Sequence, residues 1–202
     1  MEKPTNYPKV YFVGGVNGVG KSTLLTEISI RYPEFRIIKG SSLFMEWLGV
    51  TPGDYNSLRS LPDYYKISEF NKMMDNLLSK QVLDERVMLV DAHYFHYKRG
   101  EMIDTTGDWM SSLNALFVIT GEVEEIFKRV LEDTKDRDLF PRGTSRYEQK
   151  ELLRIYLEGT NQKAQEISNR YRIPLFTINN IQGNINKVVD YFLVAHTNII
   201  NK

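Results

Sequence analysis

Short apolar runs alternate along the chain with stretches in which apolar residues recur every three or four positions. Continuous apolar runs at 10–13, 87–90 and 115–119 predict strands buried on both faces, as in a parallel sheet. Residues 35–39 and 174–178 predict two further strands. Because strands alternate with helices and no repeat is visible, we predict an α/β fold with a five-stranded parallel sheet flanked by helices.

Helical spacing of apolar residues predicts the connections between these strands. The predicted helices cover 21–32, about 43–48, a long segment beginning at 62–63, 123–131, 148–171 and 185–192. Ser41 or Ser42 is expected to cap the short second helix. Residues 92–112 are expected to be irregular, and those after about Ala195 to be frayed. Gly159 is an unexplained weak point inside a long helix.

The segment Gly15-Val16-Asn17-Gly18-Val19-Gly20-Lys21-Ser22, followed by Thr23, lies between the first predicted strand and the first predicted helix. Glycines let backbone N–H groups approach phosphate oxygens, and the helix N-terminus favours negative charge. In this context the pattern predicts a nucleoside triphosphate site rather than a flexible glycine turn. Lys21 would reach the outer phosphates and Ser22 would bind Mg²⁺. The residues expected on ATP are Gly15, Asn17, Gly18, Val19, Gly20, Lys21, Ser22 and Thr23.

Composition restricts the class of protein further. The 202 residues include no cysteine, 26 basic and 26 acidic residues, and 42% hydrophobic residues. We therefore expect a single domain over 1–202, without thiol catalysis and without general affinity for nucleic acid. No stretch reaches the roughly 20 apolar residues that span a bilayer, and residues 1–6 lack a signal-like apolar core. A cytoplasmic protein without a membrane partner is the simplest expectation.

Polar residues follow several predicted strands, and parallel strands present their carboxyl ends at one edge of the sheet, where ligands bind. We expect Gly15, Gly40, Asp91, Thr120 and Asn179 to converge there.

Three classes of P-loop protein compete for this site. A signalling GTPase needs Asn-Lys-x-Asp, whereas Asn186 to Asp190 contains one residue too many and falls in a predicted helix. A motor or transporter ATPase normally has a larger chain. A small-molecule kinase needs a second pocket, a Mg²⁺-organising carboxylate and a cationic cover that excludes water, and the sequence offers candidates for each.

The chain resembles the archaeal-type adenylate kinases and, more distantly, the adenylate-kinase-related ribosome-assembly ATPases, both in the P-loop nucleoside monophosphate kinase group. The resemblance runs from about Val10 to Phe192. The segments that carry it are 15–23, 40–44, Arg59-Ser60-Leu61, Asp91-Ala92-His93, the lid-like run 133–138 and 177–180.

This resemblance implies phosphoryl transfer from MgATP to AMP, with self-association possible. It places Gly40, Ser41 and Arg59 near the acceptor nucleotide, in a segment of about 40–62, and Asn179 or Gly183 beside adenine. The residues implied in catalysis are Lys21, Asp91, His93, Arg129 and Arg137. Asp91 and Ser22 are the implied metal site, and a short lid is expected at about 133–146, where Arg142 and Arg146 are further candidates.

The chain departs from the family pattern in its phosphate loop, lid and acceptor segment. Asn17 replaces a common proline, Lys135 stands where arginine is usual, and Asn161-Gln162 replaces an Asn-Arg pair. Residues 54–56 lack the usual Arg-Asp. A kinase of another small metabolite is therefore the second hypothesis, and a nucleotide-dependent switch or assembly ATPase is the third.

Overall fold

The computed structural model describes residues 9–79, 86–133, 138–181 and 183–201. Its strands are β1 (Val10–Gly14), β2 (Phe35–Lys39), β3 (Val87–Asp91), β4 (Phe95–Lys98), β5 (Glu101–Asp104), β6 (Ala115–Thr120) and β7 (Leu175–Asn179). Five of them form one parallel sheet in the order β2-β3-β1-β6-β7. The five-stranded parallel sheet predicted from the apolar runs is confirmed.

Helices connect these strands. They are α1 (Lys21–Arg31), α2 (Gly40–Trp47), α3 (Tyr55–Ser60), α4 (Asp63–Ser79), α5 (Val123–Glu132), α6 (Arg146–Tyr171) and α7 (Ile185–Ile200), with a 3₁₀ turn at Asp108–Ser112. All predicted helices are present, and apart from the closing helix their ends lie within a few residues of the expected positions. The closing helix is longer than predicted, since it continues past Ala195 to Ile200.

The core consists of two apolar layers on opposite faces of the sheet. Alternate residues of each central strand point to opposite faces, so Tyr11 and Val13 join one layer while Val10 and Phe12 join the other. The first layer packs against α1, α5 and α7, and the second packs against α2 and α4. This double burial explains why β1, β3 and β6 are almost continuously apolar.

Strand register aligns the carboxyl ends of the first three strands. Asp91 at the end of β3 lies opposite Val13 of β1 and Lys39 of β2. Asp91 is therefore next to the end of β1, from which the phosphate loop begins. Gly40 begins α2 at the same edge, where a Cβ would approach the Asp91 carbonyl at 3.0 Å.

The prediction that residues 92–112 are irregular is wrong for the central part of this segment. Strands β4 and β5 form an antiparallel hairpin there, with Arg99 and Gly100 at its turn. Both turn residues have positive φ, 48° and 90°, as two-residue hairpin turns with the right twist require. Phe95 and Tyr97 pack into the core while His96 and Lys98 face outward, so the segment has the alternation of a half-buried strand.

Two other local expectations change. The N-cap of α2 is Lys39, without a side-chain cap, because the helix begins at Gly40; Ser41 and Ser42 therefore lie inside its first turn. Gly159 lies against the end of the flexible Met102 side chain of β5, which would have to move to make room for a Cβ at this position. The glycine lets the hairpin lie close against α6.

Candidate functional site

The phosphate loop leads from β1 directly into α1. Gly20 precedes the helix with φ of 86°, a left-handed conformation that favours glycine. The Lys21 side chain is only 7% exposed and folds back toward the loop, where its Nζ donates to the Gly15 carbonyl at 3.3 Å. The first turn of α1 therefore directs backbone N–H groups and an ammonium group toward the same space.

Two distant side chains hold the outer part of this loop. Asn180, which follows β7, donates from Nδ2 to the Val19 carbonyl at 2.6 Å. Arg129 of α5 donates from Nη1 to the Gly18 carbonyl at 3.4 Å. Val19 itself is buried, so it supplies backbone rather than a side chain to the site. These contacts hold the carbonyls of Gly18 and Val19 in place.

Asp91 and His93 approach the loop from the end of β3. The Asp91 carboxylate lies 3.9 Å from Lys21 Nζ, and His93 Nδ1 lies 2.7 Å from the Gly15 carbonyl oxygen. Because a carbonyl can only accept, Nδ1 carries the proton of this hydrogen bond. The 3.5 Å separation between Lys21 Nζ and the same nitrogen is then a close contact rather than a hydrogen bond. His93 thus supports the loop through the Gly15 carbonyl, and the catalytic role that the resemblance implies for it stays a prediction.

Burial determines the electrostatics of Asp91. Desolvation raises the pKa of its carboxyl above the ordinary value, while Lys21 and Lys39 oppose this increase. The Asp91 carboxylate and the Ser22 hydroxyl are hard oxygen donors at the cavity wall, the type that Mg²⁺ prefers. They fit a metal held mainly by nucleotide phosphates and water. Among the described residues, no group of three or more His, Asp or Glu side chains could enclose a metal by itself.

A cleft of about 700 Å³ opens from the phosphate loop. This volume lies within the roughly 300–1,000 Å³ typical of small-molecule sites. Helices α2, α3 and α4 and the β4–β5 hairpin form its far wall. Predicted site residues that line it are Asn17, Gly18, Gly20, Lys21, Ser22, Thr23, Ser41, Arg59, Asp91, His93 and Arg129. Ser41 and Arg59, which the resemblance places near an acceptor, therefore share one cavity with the phosphate loop.

A second cavity of about 310 Å³ lies on the other side of Arg129. Asn180, Ile181, Gly183 and Ile185 line it, together with Gly20 and Thr23 of the loop. Gly183, which the resemblance places beside adenine, lines this cavity, whereas Asn179 lines neither cavity; the contact with adenine stays a prediction. Asn180, one residue further along the chain, lines the second cavity instead, because successive side chains of an extended segment point in opposite directions.

The far wall of the large cavity contains a charged cluster that the sequence did not indicate. The Asp63 carboxylate, at the start of α4, lies 2.6 Å from Lys66 Nζ and 3.2 Å from Lys98 Nζ of the hairpin. The close ion pair with Lys66, together with the hydrogen bond from Lys98, holds the pKa of Asp63 below its usual range. His96 also lines this wall, with its side chain open to solvent at the cavity, and partial desolvation followed by the positive charge of Lys66 lowers its pKa.

Some of the predicted residues do not enter the described site. Arg137 and Lys135 lie outside the described residues, so the expected role of the lid arginine stays a prediction. Arg142 and Arg146 are exposed and line neither cavity. Gly40 contributes close packing against Asp91 rather than a cavity wall.

The hairpin residues were missed because the segment was interpreted as irregular. Alternation from Phe95 to Lys98 and the Arg99-Gly100 turn are signals that would have found it. Asn180 was missed because the prediction named the preceding residue, Asn179.

The fold and the loop define this chain as a P-loop protein with the architecture of the P-loop kinases. A family model described as an AAA domain matches residues 14–141, more than half of the chain. The chain belongs to that AAA-domain family. A comparison with curated proteins finds no match.

Solved structures agree with the fold. Shikimate kinase from Bacteroides thetaiotaomicron is 14% identical, with a TM-score of 0.64, over 94% of this chain and 98% of that chain. Shikimate kinase from Acinetobacter baumannii, solved in complex with shikimate, is 15% identical, with a TM-score of 0.64, over 96% of this chain and 95% of that chain. At these identities the likeness concerns the fold. No helix in the described ranges has the length and apolar character to cross a membrane.

Proposed function

We propose that this protein transfers a phosphoryl group from MgATP to a small metabolite. The observation that carries the proposal is the single cavity of about 700 Å³ that joins the phosphate loop to a separate wall built by α2, α3, α4 and the hairpin. A nucleotide on the loop and an acceptor on that wall would share one space. Direct transfer requires this arrangement, because both reactants must be held in line.

The orientation of ATP follows from the two cavities. Its phosphates would lie on the loop beside Lys21, and its base in the smaller cavity near Gly183 and Ile185. Arg129 lines both cavities, so its guanidinium would lie along the phosphate chain. The terminal phosphate would then face the acceptor wall.

The chain would promote transfer by neutralising charge and positioning the reactants rather than by a protein nucleophile. Bound Mg²⁺ would neutralise charge on the phosphates, with Ser22 and Asp91 as the residues that hold it. Lys21 supplies a positive charge that is largely shielded from water and therefore acts strongly on phosphate oxygens. His93 keeps the loop in position through the Gly15 carbonyl.

AMP is a second candidate acceptor, as the resemblance to adenylate kinases implies. Ser41 and Arg59 line the acceptor wall where that resemblance expects them. Phe44 and Phe70 also line this wall, with ring centroids 5.5 Å apart, and offer flat apolar surface to a base.

A coupled assay of ADP release with a panel of acceptors tests the proposal. AMP, other nucleoside monophosphates, and hydroxylated carboxylic acids such as shikimate form the panel. Stimulation by a non-nucleotide compound supports the metabolite kinase, and stimulation by AMP supports the adenylate kinase. ADP release that no acceptor changes would instead indicate an ATPase that acts as a switch.

The variant Lys21→Ala links any such activity to the loop. We expect kcat to decrease by roughly 10²–10³-fold, the range seen when one charge-stabilising donor is removed. Lys128→Ala is the matched control, since Lys128 is an exposed lysine of α5 outside both cavities. Near-normal activity of a folded Lys21→Ala protein would exclude the loop as the site of transfer.

A further inference from the structure

The smaller cavity, which the proposed function assigns to the nucleotide base, has few polar side chains. Among the described residues that line it, Thr23, Arg129 and Asn180 carry polar side-chain groups, and the others are glycines and isoleucines. A guanidinium can only donate hydrogen bonds, and a hydroxyl offers a single polar atom. Of these three side chains, Asn180 is the one that presents a donor and an acceptor side by side in one plane.

One hydrogen bond fixes the orientation of the Asn180 carboxamide. Its Nδ2 donates to the Val19 carbonyl of the phosphate loop at 2.6 Å. Because a carbonyl can only accept, the amide nitrogen and not Oδ1 must face Val19. The backbone is held as well, since the Asn180 N–H donates to the Thr120 carbonyl at 2.8 Å. An inverted carboxamide would place two oxygens against each other.

The bond to Val19 leaves part of the carboxamide for a ligand. It is the single side-chain hydrogen bond of Asn180 within the part of the chain that the structure describes, and it uses one of the two Nδ2–H groups. Oδ1 is not among the enclosed side-chain atoms that lack a partner, so it is open at this half-buried residue. The second N–H and Oδ1 are therefore available at the wall of the cavity.

Nucleobases differ in the groups that would meet this amide. Adenine carries an amino group beside a ring nitrogen that accepts, and this pair matches the acceptor and donor of a carboxamide. A 6-oxo purine such as guanine or hypoxanthine has an oxygen in place of the amino group, and that oxygen would meet Oδ1. None of the described residues that line the cavity is a carboxylate that could accept from the N–H groups of guanine.

We propose that Asn180 determines the base specificity of this site: Oδ1 accepts from the amino group of adenine, and the second Nδ2–H donates to a ring nitrogen. The bond to Val19 keeps the amide from inverting to suit a 6-oxo base. This inference rests on the proposed function for the position of the base. A Cβ on Gly20 would collide with Asn180 Nδ2, so this glycine leaves room for the side chain to connect the base to the phosphate loop.

Calorimetric titration without turnover tests this specificity. The wild type is titrated with MgADP, with MgIDP, whose base is the 6-oxo counterpart of adenine, and with magnesium tripolyphosphate, which has no base. We expect MgADP to bind about tenfold more tightly than MgIDP, within the range of one amide–base pair. Equal affinity of the wild type for MgADP and MgIDP would overturn the proposal, and this comparison needs no variant.

Variants locate the discrimination. Asn180→Ala should bring the affinities for MgADP and MgIDP within about twofold of each other, and should weaken MgADP more than tripolyphosphate. Asn184→Ala is the matched control and should keep the wild-type ratio, because Asn184 is an exposed residue of the same loop that lines neither cavity. A role confined to holding the loop would weaken all three ligands of Asn180→Ala by one factor and keep the ratio, which would exclude recognition of the base.

Failure of the proposed function gives a different result. If the ratio depends on Asn180 but no acceptor stimulates ADP release, the specificity stands and the transfer reaction does not. If an acceptor is phosphorylated with equal kcat/KM for ATP and ITP, the kinase stands and Asn180 does not recognise the base. Absence of binding by all three ligands would exclude both.

Discussion

At the residue scale, Asp91 shows how the site combines opposing requirements. Its carboxylate would have to be ionised to hold the proposed Mg²⁺, yet it lies at the end of a buried strand, where desolvation raises its pKa. Lys21 at 3.9 Å reduces this cost without removing it. Bound Mg²⁺ would complete the compensation.

The Asp91→Asn variant should therefore change the pH dependence of stability. An unfolded aspartate titrates near 3.8, and the folded carboxyl titrates higher. Between these two pKa values the folded wild type binds more protons than the unfolded chain, so its free energy of unfolding decreases as pH rises through this window. The amide of the variant does not titrate. Urea unfolding from pH 3.5 to 7 should show the stability difference moving in favour of Asp91→Asn.

If the difference in free energy of unfolding between the wild type and Asp91→Asn did not change with pH, a desolvated carboxylate at Asp91 could not be its cause. Activity should change in the opposite direction, because Asp91→Asn should lose Mg²⁺-dependent phosphoryl transfer. Saturating MgATP should also stabilise the wild type more than it stabilises Asp91→Asn.

His93 gives a second prediction at this scale. His93→Ala removes the donor to the Gly15 carbonyl, and loss of such a bond costs about 1 kcal/mol, or roughly five- to tenfold in ATP affinity if the loop shifts. Asparagine can place its Nδ2 where Nδ1 stood, so His93→Asn should stay within about threefold. Calorimetric titration with a nonhydrolysable MgATP analogue measures the affinity of both variants. Equal losses for the two variants would mean that His93 acts on the ligand and not on the loop.

At the scale of elements, the β4–β5 hairpin brings the acceptor wall into place. Its outer face supplies His96 to the wall and places Lys98 against Asp63, and its inner face packs on α6 through Met102 beside Gly159. The buried hydroxyl of Tyr97 shares a hydrogen bond with Thr160 of the same helix. Helix α6 thus fixes where the hairpin places its charges.

Gly159→Leu should disturb this contact. The new side chain would occupy the position of Met102, and overpacking of this kind costs about 1–3 kcal/mol of stability. In a Met102→Ala background the added volume has space, so the same substitution should cost less, and a double-mutant cycle by urea unfolding measures the difference. Strict additivity of the two changes would show that Gly159 and Met102 do not compete for the same space.

At the scale of the whole molecule, the carboxyl edge of the sheet assembles the site from separate parts of the chain. The phosphate loop follows β1, Asp91 ends β3, and Asn180 follows β7. A ligand that contacts all of these parts holds together elements that are far apart in the sequence. Nucleotide binding should therefore be visible in global stability.

MgATP at about 100 times its Kd should stabilise the protein by about 2.7 kcal/mol. For a chain of about 200 residues this corresponds to a rise in Tm of roughly 5–10 °C. Thermal melts monitored by circular dichroism measure the rise, and Lys21→Ala should lose most of it while Lys128→Ala keeps it. A nucleotide-independent Tm in the wild type would argue against ATP as the ligand of this loop.

The sequence by itself determined the features that depend on neighbouring residues. Apolar runs identify the strands because a strand buried on both faces needs no polar position, and the spacing from Gly15 to Ser22 is complete within eight residues. The α/β class and the loop that defines the P-loop proteins followed from these local patterns. The hairpin at Phe95 to Asp104 also had a local signal, in its alternation and its Arg99-Gly100 turn.

The tertiary structure alone decided which distant residues meet. Asp63 and Lys98 are 35 positions apart, His93 and Gly15 are 78 apart, and Asn180 reaches Val19 across 161 positions. Such contacts depend on strand order and register, which no local spacing encodes. For the same reason the exchange of Asn179 for Asn180 could not be foreseen, because one step along a strand reverses the direction of a side chain.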